Sequence, residues 1–134
     1  MELKKSAIDI VLVTRRQADM VAFYRDRLGF PVQGEVDIPD IARIVRMACG
    51  QSLIRLVAPA GTAALPPALP GPILAALGLR AMSIQVADLQ SDLTGWKSAG
   101  VTVQQDYTDL RPGVAVAVIE DPDGNAIEVM CQQP

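Results

Sequence analysis

The stretch Phe23-Tyr24-Arg25-Asp26-Arg27-Leu28-Gly29-Phe30 closes a helix on a glycine, and Trp96-Lys97-Ser98-Ala99-Gly100 does the same in the second half of the chain. In the first, Met20, Val21, Phe23, Tyr24 and Leu28 recur at helical spacing from Gln17 to Leu28, and Gly29 is the stop. In the second, Asp88 caps a helix that runs to Ala99. Phe23 and Trp96 lie 96 − 23 = 73 residues apart, and the same spacing relates Val13 to Val86 and Ile54 to Ile127. A period this long predicts two duplicated half-domains, not a solenoid.

The segments around each helix are strand-like. Ile8–Thr14 is rich in β-branched residues, and Pro31–Val36, Ile41–Cys49 and Ser52–Ala58 follow the first helix, with Gly50-Gln51 as a tight turn. Leu79–Ala87 precedes the second helix; Val101–Tyr107, Val114–Glu120 and Ala126–Cys131 follow it. Asp121-Pro122-Asp123-Gly124 has Pro and Gly where a type I turn favours them. Between the copies, Pro59–Gly78 is rich in Pro, Gly and Ala and reads as a linker holding a short helix near Ile73–Leu77. The expected organisation is one α+β domain of two βαβββ units: unit one 1–58, linker 59–78 and unit two 79–134. Each unit has one covering helix and one open sheet face, which needs the other unit or a second chain to close it.

Composition narrows the chemistry. The chain has 134 residues, half of them apolar, enough for one domain with a sizeable core. A net charge of −3 argues against nucleic acid. The longest apolar run, Val114–Ile119, is too short to span a bilayer, and Met1-Glu2-Leu3-Lys4-Lys5 leads into a strand-like segment and not an apolar leader. Cys49 and Cys131 make neither a disulfide framework nor a zinc spacing, so the cytoplasm is the expected location. There is no histidine, the commonest general base at neutral pH and the commonest transition-metal ligand.

Phe23–Phe30 resembles the helix-end signature of the vicinal-oxygen-chelate superfamily of glyoxalases, bleomycin-resistance proteins and extradiol dioxygenases. Asp121-Pro122-Asp123-Gly124-Asn125-Ala126-Ile127-Glu128 resembles its last hairpin, and the resemblance covers essentially the whole chain. It implies a curved, mostly antiparallel mixed sheet with helices outside, a homodimer, and a divalent metal held by the first and last strands of each unit. The usual ligands are His and Glu, sometimes Gln. Counted onto this sequence, the first His position falls on Asp9, or on Ile10 after a one-residue slip, and the second on Ala81. The carboxylate positions fall on Arg55 and Glu128. An arginine cannot donate a lone pair and repels a divalent ion, so the expectation is a metal-free, cofactor-free member.

The same resemblance points Asp9, Arg55 and Glu128 into one cavity. They form either a catalytic carboxylate–guanidinium–carboxylate constellation or a charge-compensated structural cluster. Ala81 beside them, Tyr107 at a strand end and Arg43 are weaker ligand-binding candidates. Arg43 and Arg46, an odd number of residues apart, take opposite strand faces. Trp96 and Tyr24 stand at core spacing, and Cys49 and Cys131, with no histidine base, read as small buried hydrophobes. Two functions follow. One is a homodimeric protein that binds, and sequesters, a small apolar or aromatic organic molecule, as metal-free members of the superfamily do. The other is a metal-independent isomerase, lyase or hydrolase using Asp9 or Glu128 as base.

Overall fold

The computed structural model describes residues 1–69 and 71–133; Pro70, in the expected linker, and Pro134, at the end of unit two, lie outside the described residues. The chain divides into two compact units, Met1–Leu65 and Pro66–Pro134. In the first, β1 (Ile10–Val13), α1 (Gln17–Ala22), β2 (Val32–Ile38), β3 (Ala42–Cys49) and β4 (Ser52–Pro59) build a four-stranded sheet of order β1-β4-β3-β2. The second repeats it with β5 (Ala81–Gln85), α2 (Leu89–Ser98), β6 (Val103–Arg111), β7 (Val114–Glu120) and β8 (Ala126–Gln132), in the order β5-β8-β7-β6. In each sheet the first and last strands are parallel and the other pairs antiparallel. The expected βαβββ repeat is present twice.

In the first unit β3 and β4 alternate at their centres. Val45, Met47, Ile54 and Leu56 are buried on one face, where Met20, Phe23 and Tyr24 pack. The helix is pinned there by Gln17, whose Nε2 donates to the carbonyls of Arg43 (3.0 Å) and Leu56 (2.8 Å). α1 is shorter than its periodicity predicts, because Phe23–Arg27 widens into a π-helical turn. That turn aims both Phe23 and Tyr24 inward, edge to face with centroids 5.2 Å apart, and Phe30 stacks on Tyr24. Gly29, at φ 73°, makes the left-handed exit, as Gly100 does at φ 79° after α2.

In the second unit Leu89, Leu93 and Trp96 are the buried residues of α2, and Asp88 caps it by accepting the Ser91 N–H at 3.0 Å. Every residue of β7 from Val114 to Ile119 is buried. Asp121 anchors the following turn: it is 4% exposed, and its carboxylate accepts the backbone N–H groups of Asp123 and Asn125 and the side-chain amide of Asn125.

The internal period is not uniform. Ile54 and Ile127 are equivalent at 73 residues, but their strand partners Ile10 and Met82 are 72 apart. Thr14, not Val13, is therefore the counterpart of Val86; their N–H groups reach the carbonyls of Val57 and Met130, both at 2.9 Å. The additional residue is taken up between the first strand and the buried side of the helix. In the chain between β4 and β5, the expected short helix is a 3-10 turn at Ile73–Ala75. Arginines hold this region through carbonyls: Arg15 donates to Pro59, Gly61 and Ala63, and Arg80 to Leu69, Pro72 and Ile73.

Candidate functional site

The face of the first sheet away from α1 carries the candidate residues of that unit. Ile10 pairs with buried Ile54 on the helix side, so alternation turns Asp9 and Val11 to the open side. A continuous row crosses this open face: Val11 opposite Arg55, Arg55 opposite Arg46, and Arg46 opposite Gly34. Val11 and Val13 remain 50% and 56% exposed, while Leu53 and Val57 are half-buried. The open face is thus apolar at its β1 edge and doubly cationic at its centre.

Asp9 shares this face with Arg55, but its ion pair is with Lys5, at 2.6 Å, and its Oδ1 also accepts the Leu53 N–H at 2.9 Å. The hydrogen bond from Lys5 and then that from Leu53 hold its carboxyl below the usual carboxylate range; the field of Arg55 adds the smallest contribution. Lys5 was not singled out by sequence reasoning; its only signal was an opposite charge four residues from Asp9. Lys5, Gln33, Gln51 and Leu53 help line a shallow depression of about 630 Å³ at the hairpin end of the sheet.

Arg46 and Arg55 differ from every other arginine of the unit. Their Nε atoms are buried without a hydrogen-bond partner, and neither side chain forms an ion pair among the described residues. Arg46 reaches over Gly34: a Cβ there would lie 2.7 Å from its Nη2, so with any other residue the guanidinium would have to shift from this placement. Arg43, the weaker candidate, alternates to the helix side with Val45 and pairs in solvent with Glu35 at 2.7 Å.

In the second unit Ala81 and Glu128 occupy the places corresponding to Asp9 and Arg55. Ala81 pairs with Ala126, and Ser83, two residues on, pairs with Glu128 and donates its hydroxyl to Oε1 at 3.0 Å. Tyr107 lies within β6, its hydroxyl accepting from the Gln133 side chain. Tyr24 and Trp96 are core residues, and the buried Cys131 thiol points at the Ala87 carbonyl, 3.3 Å away.

Two parallel-edged βαβββ sheets define the vicinal-oxygen-chelate class of fold. A family model described as Glyoxalase/Bleomycin resistance protein/Dioxygenase superfamily matches residues 8–129, and the chain belongs to that superfamily. No curated protein matches the sequence. Among solved structures, a glyoxalase family protein from Bacillus cereus superposes with a TM-score of 0.86 at 14% identity, covering 100% of this chain and 97% of that one. TnmS3, an antibiotic binding protein from a Streptomyces, gives 0.72 at 19% identity, covering 98% and 100%. A lactoylglutathione lyase from Agrobacterium tumefaciens gives 0.65 at 24% identity, covering 96% of each chain. At these identities the likeness is one of fold.

The donor set does not fit the divalent metal that the superfamily implies. Each unit offers one carboxylate at the expected positions, that of the first unit is engaged by Lys5, and its companion is a guanidinium. Among the described residues no three His, Cys, Asp or Glu side chains cluster where they could hold a metal ion. No helix among them is long and apolar enough to cross a membrane.

Proposed function

We propose that this chain is a metal-independent binding protein for a small apolar or aromatic organic molecule, acting as a cytoplasmic homodimer whose clefts hold the ligand against the open sheet faces. The observation that carries the reading is the open face of the first sheet. Where the superfamily places a metal ligand it has Arg55, and around that it keeps exposed Val11 and Val13. Such a surface recognises by shape and a few polar anchors and lacks the donors for Lewis-acid chemistry. The antibiotic-binding neighbour supports the same direction, as a likeness of fold.

In this reading Asp9, Arg55 and Glu128, with Ala81 beside them, are ligand-facing positions, and Tyr107 and Arg43 are peripheral. The alternative is a metal-free isomerase, lyase or hydrolase with Asp9 or Glu128 as general base. For Asp9 the observations weigh against it, because a carboxylate held ionised by Lys5 and the Leu53 N–H is a weaker base than a free one.

The test is a thermal-shift screen of aromatic and polycyclic compounds on the whole chain, combined with light scattering. The expected outcome is a mass near twice 14.3 kDa and stabilisation by at least one apolar class. At a ligand concentration of ~100 Kd the stabilisation is ~2.7 kcal/mol. A monomer unmoved by every compound class refutes the proposal.

A further inference from the structure

We infer that Arg46 and Arg55, laid side by side across the open face of the first sheet, form a clamp for the oxyanion head of an organic anion, a carboxylate or phosphonate whose apolar body lies along Val11 and Val13. This rests on the reading of that face as a ligand surface and adds the chemical class of the ligand to it.

Three independent features converge. The two arginines are direct cross-strand partners, an arrangement of like charges that opposes folding unless something negative lies between or above them. Each has a buried Nε without an acceptor, and a buried, unsatisfied donor on a cation is rare and unfavourable. A carboxylate or phosphonate presents two or more oxygens and can take one from each guanidinium fork. Asp9, on the same face, is already engaged by Lys5 and the Leu53 N–H, so it leaves the arginine charge available.

The third feature is Gly34. A glycine inside a strand weakens the strand, and here the space it leaves is filled by the Arg46 guanidinium, 2.7 Å from where a Cβ would stand. The Arg46 guanidinium thus lies over β2, on the same sheet face as Arg55. Val11, the neighbour of Arg55 on the other side, is half-exposed and continues the row as an apolar rest for the ligand body.

The experiment uses the whole chain, labelled with nitrogen-15, and follows the arginine Nε–H resonances, assigned with Arg46→Lys and Arg55→Lys. The probes are benzoate, phenylphosphonate and inorganic phosphate, with benzyl alcohol as the neutral counterpart of benzoate. Benzoate or phenylphosphonate is expected to shift both buried Nε signals, and benzyl alcohol to leave them in place. Gly34→Ala, which keeps both charges but removes the slot, is expected to weaken anion binding about tenfold, as the loss of one charge-assisted contact does. Inorganic phosphate shifting the signals as strongly at equal concentration would still place the oxyanion at the arginines and remove Val11 and Val13 from the site. Nε signals unmoved by all three anions overturn the clamp; benzyl alcohol binding, read from backbone shifts in the same titration, then decides separately whether the apolar-ligand reading stands.

Discussion

Arg46 and Arg55 stand directly opposite one another on adjacent antiparallel strands, and both keep a buried Nε with no acceptor. Like charges facing across a sheet cost a few tenths to about 1 kcal/mol. Arg46→Met keeps the apolar stem, removes one charge and one unsatisfied donor, and relieves its partner. In a buffer free of multivalent anions it should stabilise the protein by ~0.5–1 kcal/mol, raising Tm by roughly 2–4 °C. The gain should shrink in 1 M sodium chloride, where screening weakens the repulsion in the parent. Differential scanning calorimetry at both salt concentrations measures it; a lower Tm for Arg46→Met would show that the guanidinium is satisfied in the folded protein.

Asp9 gives a pH signature. Its folded carboxyl is held below the usual carboxylate range by Lys5 and then by the Leu53 N–H. A depressed folded value means that the stabilisation is present above the unfolded pKa, near 4, and is lost as pH falls through the folded value. Asp9→Asn keeps an oxygen for the Leu53 N–H and removes only the charge. The parent should be more stable than Asp9→Asn at pH 6–7, and the two should converge below about pH 3. Parallel Tm curves down to pH 2.5 would mean that the Lys5 pair contributes nothing.

Asp121 is the most exacting polar residue of the second unit. It is 4% exposed and accepts the N–H groups of Asp123 and Asn125 together with the Asn125 side-chain amide. Removing it strands those donors at the start of β8. Asp121→Ala should lose ~2–4 kcal/mol in urea denaturation. Asp121→Asn, which keeps one acceptor oxygen for the backbone, should lose less. Equal losses for the two would assign the effect to the side chain's volume.

Metal content follows from the donor set. With a guanidinium at the fourth-strand position and a methyl group at Ala81, protein purified without chelator should carry well under one equivalent of zinc, iron, nickel or manganese. Addition of a chelator should leave Tm unchanged, because no binding energy is coupled to folding. One metal per chain by elemental analysis would overturn the assignment of Arg55 and Ala81 to ligand positions.

Much of this was written in the sequence. Two helices ending on Gly29 and Gly100, with β-branched runs around them, determine the two βαβββ units, because period and turn chemistry are local properties. The strand Val114–Glu120 begins and ends where its continuous apolar run and the turn that follows place it. The Gly50-Gln51 turn even fixes the register of its hairpin: with Cys49 opposite Ser52, Arg46 must face Arg55. Parity likewise separated Arg43 from Arg46. What parity could not say was which of them lay beneath the helix, since that depends on Val45 and Met47 packing under Met20, Phe23 and Tyr24. Tertiary structure alone decided that the Leu53 N–H reaches Asp9, that the Nε groups of Arg46 and Arg55 are buried without acceptors, and that the Arg46 guanidinium lies over Gly34. The physical reason is that alternation and turns act between chain neighbours, whereas burial and charge pairing depend on which side chains meet across strands distant in sequence.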